Sequence, residues 1–257
     1  MMGVMARSNE EVLTAVTFDF WNTLIQEQNQ IRDRRVDAWL GLLEGEGAAL
    51  ERAHLDAAFD LSWGRFQDAW RANLRYDAFD SVRDVLEHIG LEPPADIVET
   101  LVAVITDPSP EWRPDPTPNI EVALTELKAA GVRIGIICDV GLTPSRTLRR
   151  YLDQHGLLGY FDHWSFSDEV GTFKPDPVIF RHALEGLGSV PSQTAHVGDL
   201  RRTDVAGAQG MGIFAVRYTG INDDPEPSRP DPAGTEPVEA EAVVQDHRHL
   251  LAALGLS

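Results

Sequence analysis

The chain has 257 residues and a formal net charge of −19, because 41 aspartate and glutamate residues outnumber 22 lysine and arginine residues. This length accommodates one large domain or a core with a smaller insert, and the acidic excess argues against binding to nucleic acid. The single cysteine, Cys138, excludes an internal disulfide framework and fits a reducing compartment. No run approaches the roughly 20 apolar residues of a membrane span, and residues 1–13 lack the pattern of a signal peptide. We therefore predict a cytoplasmic protein with neither nucleic acid nor membrane as a partner.

The first predicted strand covers residues 15–20, and its apolar run is interrupted by an acid, Asp19. Asn22 and Thr23 follow as a turn signal. Because open α/β sheets bind ligands outside the carboxyl ends of their strands, Asp19 is predicted to face a crevice as the reactive centre. The plainer alternative is an aspartate that caps the next turn through its side-chain oxygen.

A block of helices is predicted over residues 26–106, which show helical periodicity and no convincing alternating run. The proline-rich segment 108–118 is predicted to be the linker that returns from this insert. Aromatic residues of the block, such as Trp39 and Trp63, either line a substrate pocket or, as is commoner for aromatic residues at helical spacing, form its core.

Strands and helices alternate beyond residue 118. The predicted strands are 132–138, 164–167, 194–197 and 213–216, and the predicted helices are 120–130, 144–155, 176–187 and 202–210. This alternation implies a parallel sheet with helices on both faces. The acidic segment 223–237 is predicted to be an exposed loop without a packing role, followed by a strand at 240–244 and a helix at 247–254. The predicted fold class is α/β, a Rossmann-like doubly wound parallel sheet with an inserted all-helical domain.

Polar residues follow four of the predicted strands. They are Asp19 at the first strand, Cys138 and Asp139 at the second, Lys174 in the loop after the third, and Asp199 and Asp204 after the fourth. Parallel strands bring these residues to one edge of the sheet. Carboxylates that converge against one lysine repel each other, and a divalent cation relieves this repulsion. Oxygen ligands of this kind suit Mg²⁺.

Three motifs resemble those of the haloacid dehalogenase superfamily hydrolases: FDFWNTL at 18–24, GTFKPDPVIF at 171–180, and HVGD at 196–199 with Asp204 five residues later. The resemblance covers residues 15–24 and about 118–218. It implies a hydrolase core formed by residues 1–25 and 107–257 and a helical cap of the first cap class at 26–106.

By this resemblance, the protein is a phosphatase of a small phosphorylated metabolite. Asp19 attacks phosphorus, and water hydrolyses the resulting aspartyl-phosphate. Mg²⁺ is held by Asp19, Asp199 and the backbone carbonyl of Trp21, with Asp204 acting through water or as an alternate ligand. Lys174 neutralises Asp19 and the phosphoryl oxygens. The alternatives are a surface lysine at Lys174 and a helix acid at Asp204 that interacts with the helix dipole.

Two positions depart from the phosphatase pattern of this family. Trp21 stands where the phosphatases carry a second aspartate as general acid and base. Cys138, a weak hydrogen-bond donor, stands where a serine or threonine binds the phosphoryl group, and Asp139 follows it in place of the frequent asparagine. The alternatives are therefore a 2-haloacid dehalogenase, a phosphonatase-like hydrolase, or a catalytically weak binding protein. Asp199 and Asp204 argue against the metal-free dehalogenase.

Overall fold

The chain forms two compact units in the computed structural model, which describes residues 12–26, 29–224 and 239–256. One unit contains residues 12–26, 115–139, 152–224 and 239–256. The other contains residues 29–114 and 140–151. The helical unit therefore includes residues 107–114 and 140–151, which the predicted boundaries assign to the hydrolase core.

The first unit is built on a six-stranded sheet with the strand order β3-β2-β1-β4-β5-β6. The strands are β1 Ala15–Phe18, β2 Arg133–Cys138, β3 His163–Phe166, β4 Thr194–Gly198, β5 Phe214–Tyr218 and β6 Ala242–Val244. All neighbouring pairs are parallel. The central strands β1 and β4 are buried along their whole length, as expected for a sheet flanked by helices. The predicted parallel α/β sheet is confirmed.

Ten α-helices lie in the described part of the chain. They are α1 Asn29–Gly45, α2 Arg52–Arg71, α3 Ala78–Ile89, α4 Ala95–Thr106, α5 Ile120–Ala129, α6 Ser145–Gln154, α7 Ser167–Val170, α8 Pro177–Leu187, α9 Ala206–Gly210 and α10 Leu250–Ala253. None of the helices in these described ranges is both long and apolar enough to cross a lipid bilayer.

Helices α1 to α4 form the second unit around an apolar core of their own. Helix α3 begins at a capping box, in which the Asp77 side chain accepts from backbone N–H groups and the Asp80 side chain accepts from the Asp77 N–H. Trp39 is fully buried and donates through Nε1 to the Leu101 carbonyl oxygen. Trp39 is therefore a core residue, whereas Trp63 is exposed.

Several elements differ from their prediction. Strand β1 ends at Phe18, two residues early, because the chain turns there and Asn22 takes a left-handed conformation with φ 56°. The predicted helix 202–210 begins as a π-helical turn, Arg201–Val205, before α9. The predicted loop 223–237 lies mostly outside the described residues, but the prediction is wrong for Asp224, which is buried and accepts a hydrogen bond from the Arg201 N–H.

The turn after β1 is anchored by two side chains from distant segments. The Thr117 hydroxyl donates to the Thr23 carbonyl oxygen at 2.7 Å, and His247 Nε2 lies 2.9 Å from the same oxygen. A carbonyl only accepts, so Nε2 carries the proton. His247 is fully buried, with its ring stacked on Tyr218 at a centroid distance of 4.0 Å. These contacts fix the backbone that follows Asp19.

Burial lowers the pKa of His247 from 6.5 to about 4, so folding opposes its protonation. The stability that this histidine contributes is present above pH 6.5 and is lost as the pH falls towards 4. Between pH 6.5 and 4, we expect the free energy of unfolding to fall by up to about 3 kcal/mol more in the wild type than in His247→Phe, since phenylalanine keeps a ring but does not titrate. Urea denaturation at several pH values measures the difference.

The exposed neighbour His249 provides the control, and His249→Gln should follow the wild type. Parallel stability profiles for the wild type and His247→Phe would show that His247 is not held neutral in the fold.

Candidate active site

Lys174 lies between two buried carboxylates. Its Nζ donates to Asp19 Oδ1 at 2.5 Å and to Asp204 Oδ1 at 2.7 Å. Asp19 directly follows β1, Asp204 lies in the π-helical turn after β4, and Lys174 lies in the loop between α7 and α8. Because β1 and β4 are parallel neighbours, their carboxyl ends meet at this edge of the sheet. The structure thus brings together three residues that the sequence places up to 185 positions apart (204 − 19).

Asp139 supports the loop that carries the lysine. Its Oδ1 accepts a hydrogen bond from the Lys174 backbone N–H at 2.8 Å. Two residues further on, Asp176 caps the start of α8 by accepting from the Val178 N–H. The loop is therefore held at the Lys174 backbone and at its junction with α8. A contact between Asp139 and substrate stays a prediction.

Asp199 completes a cluster of buried acids. One oxygen from each of Asp19, Asp199 and Asp204 lies within 4.8 Å of the others, which makes these three a group that could hold a metal ion. Burial raises the pKa of Asp19 to about 7, although Lys174 opposes the shift. Burial, together with Asp19 and Asp204, also raises the pKa of Asp199. Burial, and after it the neighbouring acids, therefore opposes ionisation of Asp19 and Asp199, and a bound cation would offset that cost.

Asp204 behaves differently from the other two acids. Burial opposes its ionisation, but Lys174 and His196 outweigh burial and hold the pKa of Asp204 below its usual range. Burial lowers the pKa of Lys174, but the carboxylates of Asp19 and Asp204 outweigh burial and raise it. Lys174 and Asp204 are therefore a charged pair at neutral pH, whereas the ionisation of Asp19 and Asp199 depends on whether further positive charge is present.

The two residues that depart from the family's phosphatase pattern lie beside this cluster. Trp21 is half-buried in the turn after β1, and its ring makes a T-shaped contact with Phe20 at a centroid distance of 5.1 Å. Cys138 ends β2 and is fully buried, and burial raises the pKa of its thiol well above the usual value. Its thiol is therefore protonated at neutral pH. The metal contact of Trp21 and the substrate contact of Cys138 stay predictions.

Sequence reasoning missed two buried residues that lie behind Asp204. His196 Nε2 is 3.0 Å from Asp204 Oδ1, and His196 Nδ1 is 2.9 Å from Thr17 Oγ1. Thr17 lies two residues before Asp19, and His196 lies two residues before Gly198. Residues two apart share a face of a strand. That spacing is the available signal, but it does not give the register that pairs Thr17 with His196.

Gly198 makes room for Asp204. A Cβ atom at this position would lie 2.2 Å from Asp204 Cγ, far inside contact distance. The Asp204 carboxylate is also bonded to Lys174, His196 and the Leu200 N–H, so it has no free direction in which to move. The glycine of HVGD is therefore required by a close approach between a strand and a carboxylate.

Comparison with known proteins gives a family match and two similar phosphatases. The family model described as haloacid dehalogenase-like hydrolase matches residues 13–212. The chain is 31% identical over 237 residues to the ribulose-1,5-bisphosphate 5-phosphatase of Halopiger xanaduensis, covering 87% of this chain and 92% of that protein. It is 30% identical over 148 residues to the glyceraldehyde 3-phosphate phosphatase of Methanopyrus kandleri, covering 57% of this chain and 62% of that protein.

A solved structure shares the fold. The 2-haloacid dehalogenase of Pseudomonas syringae pv. Tomato superposes with a TM-score of 0.65 at 20% identity, covering 95% of this chain and 99% of that one. At this identity the likeness concerns the fold alone.

The close approach at Gly198 predicts a non-additive pair of substitutions. Gly198→Ala should destabilise the protein by about 1 to 3 kcal/mol, because the added methyl group overpacks the Asp204 site. Combining it with Asp204→Gly, which removes both the carboxylate and the Cβ that the new methyl group would meet at 2.5 Å, should cost no more than Asp204→Gly alone, within about 0.5 kcal/mol. Denaturant unfolding of the three variants measures this.

Gly210→Ala is the matched control, because a Cβ there meets nothing within 4 Å, and it should not destabilise the protein. Additive costs for Gly198→Ala and Asp204→Gly would contradict the close approach.

Proposed function

Because the chain belongs to the haloacid dehalogenase-like hydrolase family, we propose that it is a phosphatase that hydrolyses a small phosphorylated metabolite through an aspartyl-phosphate on Asp19. The observation that carries this proposal is the buried cluster in which Lys174 bridges Asp19 and Asp204, with Asp199 beside them. The relatives named as phosphatases support a phosphorylated substrate. A net charge of −19 makes nucleic acid an unsuitable one.

The proposed reaction has two steps. An Asp19 oxygen forms a bond to phosphorus as the bond to the leaving group breaks, which gives an acyl phosphate on the enzyme. Water then attacks the phosphorus, and the bond to Asp19 breaks to release inorganic phosphate and regenerate the carboxylate. Lys174 binds one Asp19 oxygen throughout and lies where negative charge collects on the phosphoryl oxygens. Catalysis of this kind depends on positioning and charge stabilisation.

The donor set fits a hard divalent cation such as Mg²⁺, because Asp19 and Asp199 are oxygen ligands and the pKa of each is raised by burial. The carbonyl oxygen of Trp21 is the proposed third ligand. When bound, the cation supplies positive charge against the nucleophile and the phosphoryl oxygens. Asp204 fits direct ligation less well, since Oδ1 accepts from Lys174 and His196 and Oδ2 accepts from the Leu200 N–H. We assign Asp204 a supporting role through water.

Trp21 decides which leaving groups are favourable. An indole has an N–H that donates a hydrogen bond but no carboxyl group that transfers a proton. The alternative acid considered from the sequence, Asp139, uses Oδ1 to hold the Lys174 backbone. The leaving group must therefore depart largely as an anion, which favours an acyl or aryl phosphate over an alkyl phosphate.

A dehalogenase is the second candidate, favoured by Trp21, which stands in place of the general acid. It would use Asp19 to displace halide from carbon and would need neither Asp199 nor a cation. A binding protein with weak catalysis is the third candidate, favoured by Trp21 and Cys138 together. The buried acid cluster favours the phosphatase over both.

A cytoplasmic location fits the lone Cys138 and stays a prediction.

The proposed mechanism predicts a metal-dependent pH profile. Asp19 must be ionised to attack, and its pKa is about 7 before any cation binds. Aryl phosphate hydrolysis should therefore require Mg²⁺ and fall as the pH drops below about 7. The midpoint should move to lower pH as the Mg²⁺ concentration rises, because the cation stabilises the ionised form. Initial rates over a grid of pH and Mg²⁺ concentration measure this.

Asp199→Asn should require much more Mg²⁺, whereas the exposed control Asp153→Asn should behave like the wild type. Halide release from a 2-haloacid without Mg²⁺, in the absence of phosphatase activity, would favour the dehalogenase instead. Turnover of neither substrate class would favour the binding protein.

The tryptophan predicts a steep dependence on the leaving group. Aryl and acyl phosphates should be hydrolysed much faster than alkyl phosphates of similar size, since general acid catalysis typically contributes about 10² to 10⁴-fold to the rate for poor leaving groups. Trp21→Asp should raise the alkyl rate selectively and flatten the slope. A series of phosphate esters with graded leaving-group pKa measures the slope for each variant.

Trp21→Phe is the matched control, because it keeps an aromatic ring without adding an acid, and its slope should stay steep. A flat dependence in the wild type, with chemistry rate-limiting, would mean that another residue supplies the proton.

A further inference from the structure

We propose that His196 is a positioning residue for the reaction at Asp19: it orients the Asp204 carboxylate, which in turn holds Lys174 against the nucleophile. This inference rests on the proposed phosphatase function. It assigns a role to a buried histidine that touches neither Asp19 nor Lys174 through any hydrogen bond in the described part of the chain.

The first support is a series of four hydrogen bonds that begins and ends on the same stretch of chain. It runs from Thr17 to His196 at 2.9 Å, from His196 to Asp204 at 3.0 Å, from Asp204 to Lys174 at 2.7 Å and from Lys174 to Asp19 at 2.5 Å. Its two ends, Thr17 and Asp19, lie two residues apart at the end of β1. The position of the ammonium group is therefore fixed relative to the strand that carries the nucleophile.

The second support is the register of the two central strands. Thr17 pairs with His196 across β1 and β4, so their side chains form a layer inside the sheet unit. Gly198, two residues after His196, has no side chain, and Asp204 occupies the space above it. The sheet thus places the imidazole directly behind the Asp204 carboxylate. Thr17, His196 and Asp204 are all almost fully buried.

The third support is the donor arrangement. Asp204 is ionised and only accepts, so His196 Nε2 must carry the proton that faces Oδ1. Nδ1 then accepts from the Thr17 hydroxyl at 2.9 Å, which is closer than that hydroxyl's other acceptor, the Ala195 carbonyl oxygen at 3.3 Å. Asp204 therefore selects the tautomer of His196, and the Thr17 hydroxyl complements it by donating to Nδ1.

The test uses two amides of different length at position 196. His196→Gln extends an amide N–H to about the place of Nε2 and can still donate to Asp204. His196→Asn reaches only to about the place of Nδ1 and cannot. We expect the glutamine variant to keep most of the wild-type kcat and the asparagine variant to lose about 10 to 100-fold, as for other residues that orient a catalytic group. KM should change much less than kcat, because the substrate is not touched.

Two further measurements separate positioning from a merely structural role. Both amide variants should still unfold cooperatively in urea, and Thr17→Val, which removes the hydroxyl while keeping the shape, should lower kcat by less than His196→Asn. His163→Gln and His163→Asn, on the edge strand β3, are the controls and should leave kcat unchanged. Equal kcat losses in the two His196 amides would overturn the proposal.

Two readouts do not depend on activity. Nitrogen-15 resonances of His196 in the metal-free protein should show the proton on Nε2, and a proton on Nδ1 alone would overturn the proposal. In crystal structures of the variants, Lys174 Nζ should stay within hydrogen-bond distance of Asp19 with glutamine and leave it with asparagine. If no phosphate ester is hydrolysed by the wild type, the proposed function fails, and these two readouts still decide whether His196 positions Lys174.

Discussion

Lys174 donates hydrogen bonds to Asp19 and Asp204 at the same time, and the geometry of the whole site follows from this double contact. A buried ion pair that loses one partner typically costs about 3 to 5 kcal/mol, since the remaining charge is left without compensation. The surrounding structure keeps all three groups in place. Asp139 holds the Lys174 backbone, His196 holds Asp204, and the turn after Asp19 is anchored by Thr117 and His247.

The same contact leaves the site short of positive charge. One ammonium group faces three buried carboxyl groups, and the pKa of Asp19 stays near 7 even with Lys174 beside it. A nucleophile that is only partly ionised at neutral pH is a poor nucleophile. In the proposed mechanism, a divalent cation both completes the ionisation of Asp19 and opposes the charge of the phosphoryl group, so that one bound ion links the stability of the site to its chemistry.

The positions of the acids were predictable from the sequence, because Asp19 and Asp139 follow apolar runs and parallel strands end at one edge. The motif around Lys174 indicated the loop that carries it. The contact between Thr17 and His196 was not predictable, since the hydrophobic pattern of two buried parallel strands does not define their register. The contact of His247 with Thr23 joins residues 224 positions apart, and no local pattern reports so distant a pair.

The central claim is that Asp19 becomes covalently phosphorylated during turnover. Rapid acid quenching of the reaction with an aryl phosphate, reduction with borohydride and peptide mass spectrometry tests it directly, because reduction converts an aspartyl-phosphate to homoserine. The proposed mechanism predicts homoserine at position 19 in the wild type, dependent on substrate and on Mg²⁺, and none in Asp19→Asn. Steady hydrolysis of the aryl phosphate with position 19 unmodified, or with the modification at another acid such as Asp139 or Asp199, would contradict it.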